Sequence, residues 1–415
     1  MTQEKAREYA RLGRNLFLTG PAGSGKTYLL NAVIEDAKSS GKKVAVTAST
    51  GIAATHIGGT TIHSWSGIGI ADSFTPYQLD ALMQKEHLFK RFKNTDVLII
   101  DEISMFDAAR VDMVDRVMRM IRGIQAPFGG VQVIFCGDFF QLPPITRGSA
   151  PVRFAFEAEV WQQMTDMVIC YLDTVHRQDE NDPLLKILSE MRLGNLSESA
   201  LEDIQSRVGE VLPDHITPTR LYTHNVDVDA LNDKELAQLS GKHQVFHMQS
   251  TGKKDDVALL KKYCMAPEEL HLKIGAAVMC VKNNPKEGYV NGTLGTVIGF
   301  GPGSVSVQTA EGKEIEVYHD SWAIEHDGVR KAQIMQIPLR LAWAITVHKS
   351  QGMTLDDVVV DLSKSFTPGM GYVALSRVRS LSGLYIQGIN QNALRVDDRV
   401  QKQDAWFREL SKAAE

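Results

Sequence analysis

Residues 20–27 read GPAGSGKT and match the phosphate-binding pattern G-x-x-x-x-G-K-[ST]. The apolar run 16–19 precedes this segment, and apolar residues at 29, 30, 33 and 34 follow it with helical spacing. In such a strand–loop–helix unit, glycines let backbone N–H groups turn inward around phosphate oxygens at the helix N-terminus. A chance match in a glycine-rich turn would not explain the flanking strand and helix. The sequence therefore predicts a nucleotide-binding domain of the α/β class.

The loop supplies the candidate nucleotide ligands. Backbone groups and side chains of Gly20, Gly23, Ser24 and Gly25 are expected to surround the phosphates. Lys26 is expected to reach the β- and γ-phosphates of ATP, and the Thr27 hydroxyl is expected to coordinate Mg²⁺.

Two acidic residues, Asp101 and Glu102, directly follow the apolar run 97–100. We expect both at the carboxyl end of a buried strand, where ligands of parallel sheets bind. Asp101 is then a Mg²⁺ ligand, and Glu102 orients and deprotonates the attacking water. Alone, such a pair would indicate a solvated loop, but the phosphate loop upstream favours catalysis.

A third polar segment, GDFFQLPP at 137–144, follows the apolar run 131–135. Gln141 is a candidate γ-phosphate sensor, because an amide can hydrogen-bond to a phosphate oxygen or to the attacking water. A simple turn at the end of a strand is the alternative, and the sequence leaves both open.

The chain changes character near residue 276. Alternating residues at 304–307 and 314–317 and glycines at 292, 295, 299, 301 and 303 predict short antiparallel strands with tight turns, as in a small barrel. A buried strand at 357–360 marks a return to α/β structure, whereas the polar stretch 66–94 indicates a small insertion.

Composition narrows the function further. With 415 residues the chain is expected to hold two or three domains. Its net charge of -5 excludes nucleic-acid binding through overall positive charge but leaves room for a local basic channel.

The four cysteines have no C-x-x-C spacing, which excludes a Cys₄ zinc site and suits the cytoplasm. No apolar run approaches a membrane span, and the pair His243 and His247, which could seat a metal on a helix, has no evident third ligand.

Taken in order, these segments resemble the Pif-one helicases (petite integration frequency), RecD-like members of helicase superfamily one, class B. The resemblance covers nearly the whole chain. Besides the phosphate loop and Gln3, it rests on residues 50–54, 60–64, 101–105, 127–133, 141–143, 176–178, 346–352 and 372–377.

The resemblance implies two RecA-like domains with two insertions. The first domain would span 1–175, with a helical or loop wedge at about 66–94. The second would combine 176–248 and 335–415, interrupted at 249–334 by a barrel resembling the Src-homology-three fold. ATP would be hydrolysed in the cleft between the two RecA-like domains.

The resemblance also implies roles for single residues. Gln3 would read adenine, Gly352 would contact the nucleotide, and Arg177 and Arg377 would neutralise charge on the γ-phosphate. Single-stranded DNA would be contacted by Thr50, Gly51, His63, Ser64, Thr346, His348 and Lys349. Candidates for stacking on bases are Trp65, Phe140 and Trp343, for which ordinary core packing is the alternative.

The implied activity is ATP- and Mg²⁺-dependent 5′-to-3′ DNA unwinding in replication, recombination and repair. Implied partners are single-stranded, forked and G-quadruplex DNA and RNA–DNA hybrids, with a monomer expected in solution and a dimer allowed on DNA. Many relatives carry long terminal extensions, whereas this chain has almost none. We therefore expect a minimal, bacterial or phage, version in the cytoplasm or nucleoid.

Two other classes of function compete with a motor. One is a nucleotide switch or assembly ATPase that takes its finger arginine from a neighbouring subunit. Segments 346–352 and 372–377 argue against it, because they supply a second domain in the same chain. The other is a module that grips single strands without turnover, which an intact set of Lys26, Thr27, Asp101 and Glu102 disfavours.

Overall fold

The computed structural model describes residues 1–68, 75, 77, 80, 82, 84–144, 151–175, 182–212, 218–284, 286–289, 291–309, 312–326 and 329–415. Within them the α-helices are α1 Gln3–Arg11, α2 Lys26–Ser39, α3 Gly51–His56, α4 Ile62–Ser66, α5 Glu86–Lys93, α6 Ala108–Arg122, α7 Glu159–Gln163, α8 Pro183–Leu193, α9 Glu198–Ser206, α10 Asn225–Gln238, α11 Lys254–Tyr263, α12 Met370–Leu375 and α13 Asp398–Ala413. Short 3₁₀ turns cover Ile103–Met105, Pro127–Gly130, Ala155–Glu157, Leu381–Gly383 and Gln391–Leu394.

The strands are also numbered in chain order. They are β1 Leu16–Thr19, β2 Val44–Ala48, β3 Thr60–Thr61, β4 Val97–Asp101, β5 Gln132–Cys136, β6 Val168–Tyr171, β7 Thr219–Tyr222, β8 Gln244–His247, β9 Gln249–Gly252, β10 Glu269–Leu272, β11 Ala277–Cys280, β12 Leu294–Gly301, β13 Ser304–Thr309, β14 Glu314–Tyr318, β15 Asp320–His326, β16 Val329–Gln336, β17 Leu339–Leu341, β18 Ala344–Thr346, β19 Val358–Leu362 and β20 Leu384–Ile389. The apolar runs read as strands from the sequence are confirmed.

The chain folds into two compact units. Unit 1 comprises residues 1–204, 366–376 and 391–415, and unit 2 comprises 205–365 and 377–390. These limits differ from the predicted domain boundaries after 175, 248 and 334. The reason is long-range packing that local sequence does not reveal: the Tyr171 backbone N–H donates to the Ser411 hydroxyl (3.0 Å), and the Phe407 ring lies 5.0 Å from that of Phe17.

Unit 1 is built on a six-stranded parallel sheet in the order β3-β2-β4-β5-β1-β6. Its strands are buried along most of their length, as expected for a parallel sheet covered on both faces. Leu16 and Leu18 of β1 pack in one core with Leu29 and Leu30 of α2. Because β4, β5 and β1 are neighbours, the segments after them lie along one edge of the sheet.

Unit 2 holds a four-stranded parallel sheet, β18-β7-β19-β20, which confirms the second α/β part. It also holds an antiparallel sheet, β14-β13-β12-β11-β17, and smaller sheets β15-β16-β9 and β10-β8. Alternate residues of β13 and β14, among them Val305, Val307, Ile315 and Val317, form the core of this β-rich part. The antiparallel strands predicted at 304–307 and 314–317 are therefore confirmed, and the likeness to a Src-homology-three barrel stays a prediction.

Part of the predicted wedge at 66–94 lies outside the described residues. Of its remainder, α5 packs through Leu88 and Phe92 and carries charged residues on its exposed side. None of the described helices has the length and apolar character that crossing a membrane requires.

Candidate active site

The phosphate loop runs from the end of β1 to the start of α2. Gly20 is packed so closely that a Cβ there would collide with the Leu172 carbonyl oxygen. Gly25 precedes the helix with φ 84°, a left-handed conformation that glycine adopts without strain. The first N–H groups of α2 have no acceptor within the helix, so they are available to an anion.

Two side chains of the loop fit a bound phosphate. Nζ of Lys26 donates to the carbonyl oxygens of Gly20 (2.9 Å) and Pro21 (2.8 Å) and thus lies inside the loop. Burial lowers the pKa of the Lys26 amine, and the nearby acids Asp138 and Glu102 oppose that shift. The Ser24 hydroxyl is buried without a hydrogen-bond partner in the described structure, as expected of a group that binds phosphate oxygens.

Asp101 and Glu102 stand at the end of β4, as predicted. Asp101 is buried, and its Oδ1 accepts the Glu102 N–H at 2.9 Å. The Ser49 N–H donates to the Asp101 carbonyl (3.0 Å), and the Ser49 hydroxyl donates to the Glu102 carbonyl (2.7 Å). Glu102 has φ 50°, an uncommon value for a non-glycine residue that often accompanies functional sites.

The surroundings of Asp101 shift the pKa of its carboxyl group. Burial raises the pKa of this carboxyl, while hydrogen bonds from the Cys136 thiol and the Glu102 N–H and the charge of Lys26 act against the rise. The pKa of Cys136, at the end of β5, is raised well above its usual value by burial and by Asp101. The charge of Lys26 therefore interacts with the carboxylates of both Asp101 and Glu102.

The turn after β5 carries the predicted sensor. The Gln141 N–H donates to the Asp138 carbonyl (3.0 Å), and the Phe140 N–H donates to Oδ1 of Asp138 (3.2 Å). Asp138 is only 1% exposed, and Gln141 is also buried. Gln141 thus lies on a closely held turn at the same sheet edge as the phosphate loop.

Arg192 is a residue of this region that sequence reasoning missed. It lies in the last turn of α8, is nearly buried, and pairs with Asp138 at 2.8 Å. A sequence signal was present, because Arg192 continues the apolar stripe of Leu184 and Leu188 at helical spacing. A charged residue on such a stripe indicates a buried partner.

Of the two predicted arginine fingers, Arg377 lies within the described residues. Arg177 lies outside the described residues. Arg377 lies in unit 2 and is 1% exposed, and its Nη1 is 3.5 Å from the Met353 carbonyl oxygen. Its role toward a γ-phosphate stays a prediction.

The two remaining nucleotide candidates also stay predictions. Gln3 begins α1, which is held against α2 by Arg7, whose Nε and Nη2 donate to the Asp36 carboxylate at 2.9 and 2.8 Å. Gly352 lies in unit 2 in an exposed turn with φ 82°.

The predicted DNA contacts of unit 1 lie on and before α3 and α4. Thr50 precedes α3 and its hydroxyl accepts the Ala53 N–H (3.2 Å), and Gly51 begins that helix. Ser64 of α4 is exposed, and the half-buried His63 packs edge-on against Phe106 with ring centroids 5.2 Å apart. Their contact with DNA stays a prediction.

In unit 2, His348 and Lys349 are half-buried, whereas Thr346 is buried at the end of β18. The Thr346 hydroxyl accepts the Lys349 N–H at 3.4 Å, so the Thr346 side chain helps to form the turn. Burial and the charge of Arg340 lower the pKa of Lys349, and burial and His224 lower that of His348. Basic groups are therefore concentrated around this turn.

Two of the three base-stacking candidates were wrong. Trp65 is buried edge-on against Phe92, with ring centroids 4.8 Å apart, and Phe140 is buried beneath the Arg192 guanidinium. Both side chains therefore serve core packing. Trp343 is half-buried against the β-rich core of unit 2.

The histidine pair lies on and beside β8 instead of on a helix. The His243 Nε2 is 3.0 Å from Nδ1 of His271, and His247 faces Glu269. In the described part of the chain no cluster of three or more His, Cys, Asp or Glu side chains could hold a metal ion. The Mg²⁺ ligands expected from the sequence, the Thr27 hydroxyl and the Asp101 carboxylate, stay a prediction, and both are oxygen donors of the kind that Mg²⁺ prefers.

The chain is similar in sequence to known helicases. A family model described as PIF1-like helicase matches residues 4–200, and one described as DNA helicase Pif1, 2B domain, matches residues 258–300. The chain is 40% identical to the ATP-dependent DNA helicase Pif1 of Psychrobacter, over 100% of this chain and 72% of that protein. It is 40% identical to human ATP-dependent DNA helicase PIF1, over 94% of this chain and 60% of that protein.

Solved structures match over nearly the full length. The crystal structure of Bacteroides Pif1 in complex with ADP-AlF4 matches with a TM-score of 0.85 and 30% identity, covering 98% of this chain and 96% of that one. Bacteroides Pif1 bound to single-stranded DNA matches with a TM-score of 0.70 and 30% identity, covering 99% and 98%. A structure of DNA unwinding at forked DNA by two coordinating Pif1 helicases matches with a TM-score of 0.70 and 31% identity, covering 99% and 98%.

Proposed function

The chain belongs to the PIF1-like helicase family, and from this membership we propose that it is an ATP-dependent DNA helicase. It hydrolyses ATP in response to single-stranded DNA, moves along that strand from 5′ to 3′, and unwinds forked duplexes. G-quadruplexes and RNA–DNA hybrids are further proposed substrates. We expect it to act as a monomer, with two copies able to cooperate at a fork.

One observation carries the proposal. Three neighbouring strands of unit 1 end in the phosphate loop, in Asp101 and Glu102, and in the turn of Gln141. Those are the parts that hydrolysis of a nucleoside triphosphate requires: a phosphate cradle, a pair of carboxylates and an amide sensor.

The proposed chemistry follows from the positions of these groups. Phosphate oxygens replace the carbonyl oxygens of Gly20 and Pro21 as acceptors for Lys26. Glu102 takes the proton of the attacking water, and Gln141 bonds to the γ-phosphate or that water. Thr27 and Asp101 would hold Mg²⁺, which when bound neutralises charge on the β- and γ-phosphates.

The DNA track is proposed to use small, hydroxyl-bearing and basic groups. In unit 1 these are Thr50, Gly51, His63 and Ser64, and in unit 2 they include His348 and Lys349. Contacts of this kind to phosphates position a strand without reading its sequence. Such sequence-independent grip suits a motor that must advance over any base.

A polarity assay tests the proposal. The protein is incubated with ATP and Mg²⁺ and duplexes that carry a single-stranded tail at either the 5′ or the 3′ side, with Glu102→Gln as the matched inactive control. We expect strand separation only from the 5′ tail and only by the wild type. Unwinding from the 3′ tail would contradict the polarity, and hydrolysis without unwinding of either substrate would favour a nucleotide switch.

A further inference from the structure

A buried network of hydrogen bonds within unit 1 has the phenolic oxygen of Tyr372, on α12, at its centre. This oxygen accepts the backbone N–H of Ala22 in the phosphate loop (3.3 Å) and Nη1 of Arg192 (3.0 Å), and it donates to Oδ2 of Asp138 (3.3 Å). A phenol donates one hydrogen bond and accepts up to two, so this hydroxyl is fully used. The phosphate loop is therefore held by a side chain from a distant part of the chain.

The Arg192 guanidinium fixes that hydroxyl from one side. Nη1 donates to both carboxylate oxygens of Asp138 at 2.8 Å, and Nη2 donates to the Tyr171 hydroxyl (2.7 Å) and to Asp404 on α13 (3.2 Å). The guanidinium carbon also lies 4.1 Å from the centre of the Phe140 ring. Charge-assisted bonds are stronger than neutral ones, so they hold these buried groups in this arrangement.

Tyr171, at the other end of the network, makes the same kinds of hydrogen bond as Tyr372. The Tyr171 hydroxyl accepts from Arg192 and donates to Asp404, at 2.9 Å from its Oδ1. Both tyrosine hydroxyls therefore bridge the same guanidinium to a carboxylate. Only the Tyr372 hydroxyl also contacts the phosphate loop.

Asp138 connects the network to the Gln141 turn. Its carboxylate accepts from Tyr372, from Arg192 and from the Phe140 N–H, while its carbonyl accepts the Gln141 N–H. A shift of this carboxylate would move the turn. Tyr372 thus contacts two parts of the site at once, the loop at Ala22 and the turn at Asp138.

We propose that Tyr372 is a positioning residue for nucleotide hydrolysis, because its hydroxyl fixes the phosphate loop relative to the Gln141 turn. The inference rests on the proposed ATPase function. Misplacing a reacting group by about 1 Å can cost roughly a hundredfold in rate, so a tie between these two segments bears on turnover.

The test compares Tyr372→Phe with Tyr171→Phe. Each substitution removes one buried hydroxyl that bridges Arg192 to a carboxylate, and each keeps the aromatic ring. Steady-state ATP hydrolysis with saturating single-stranded oligonucleotide gives kcat and KM for the wild type and both variants. Thermal melting and ADP binding are measured on the same preparations.

We expect similar losses of melting temperature in the two variants. Tyr372→Phe should lower kcat about ten- to hundredfold, with little change in KM or ADP affinity, and Tyr171→Phe should keep the wild-type kcat. Equal kcat values for the two variants would overturn the positioning role and leave a structural network. A wild type that binds ADP but does not hydrolyse ATP would instead overturn the proposed function, and the positioning role with it.

Discussion

Replacing Arg192 by methionine would leave the Asp138 carboxylate buried without its partner. Arg192 is 5% exposed and Asp138 is 1% exposed, and their atoms are 2.8 Å apart. Removing one member of such a pair costs about 3–5 kcal/mol, because the other charge stays buried and unpaired. In a unit of this size each kcal/mol lowers the melting temperature by about 2–4 °C, so we expect a fall of about 6–20 °C.

Scanning calorimetry of the full chain at neutral pH measures this fall. The matched control is Lys90→Met, which removes the lysine of an exposed pair with Glu86 (2.7 Å) on α5 and should leave the melting temperature nearly unchanged. Adding Asp138→Asn to Arg192→Met should recover part of the loss, because no unpaired charge then remains buried. A melting temperature for Arg192→Met within about 2 °C of the wild type would refute the reasoning.

Three further predictions concern candidate catalytic groups, and a fourth concerns the thiol of one cysteine. Lys26→Ala should abolish ATP hydrolysis and leave single-strand binding, measured by fluorescence anisotropy, near the wild-type value, and residual full activity would contradict the phosphate-loop assignment. Glu102→Gln should bind nucleotide normally but lower kcat about 10²- to 10⁴-fold, and an unchanged kcat would exclude it as the base. Arg377→Ala should spare ATP affinity and slow turnover roughly 10³-fold, whereas loss of affinity alone would make it a binding residue. Since burial raises the pKa of Cys264 to about 11, only a small fraction of this thiol is ionised at pH 8, so Cys264 should react with a disulfide reagent roughly a hundredfold more slowly than a free thiol, and the rate should rise as pH rises towards 11.

Local signals in the sequence were enough to predict the phosphate loop and the carboxylates. The strand before residue 20, the helix after it and the apolar run before Asp101 are short-range patterns, and each is found where it was expected. Parallel strands place their carboxyl ends at one edge of a sheet. From that rule Asp101, Glu102 and the Gln141 turn are expected at the same edge of the sheet as the phosphate loop, and the strand order agrees with this.

The polar network could not be predicted in the same way. Arg192 bonds to Asp138, which is 54 positions away along the chain, and to Tyr372, which is 180 positions away. Such pairings depend on the final fold. The same holds for residues 366–376 and 391–415, which pack with unit 1 although the sequence assigns them to the second α/β domain. The packing of Phe140 beneath the Arg192 guanidinium is likewise a contact between residues far apart in the sequence, which left its role open at the level of sequence.

The most direct test of the central claim is the steady-state rate of ATP hydrolysis with and without a single-stranded DNA oligonucleotide. If the phosphate loop, Asp101 and Glu102 form the catalytic site of a DNA motor, the rate should rise strongly on addition of the oligonucleotide and vanish in Lys26→Ala. A rate that is indifferent to DNA would contradict the claim that hydrolysis in this chain serves movement along a strand.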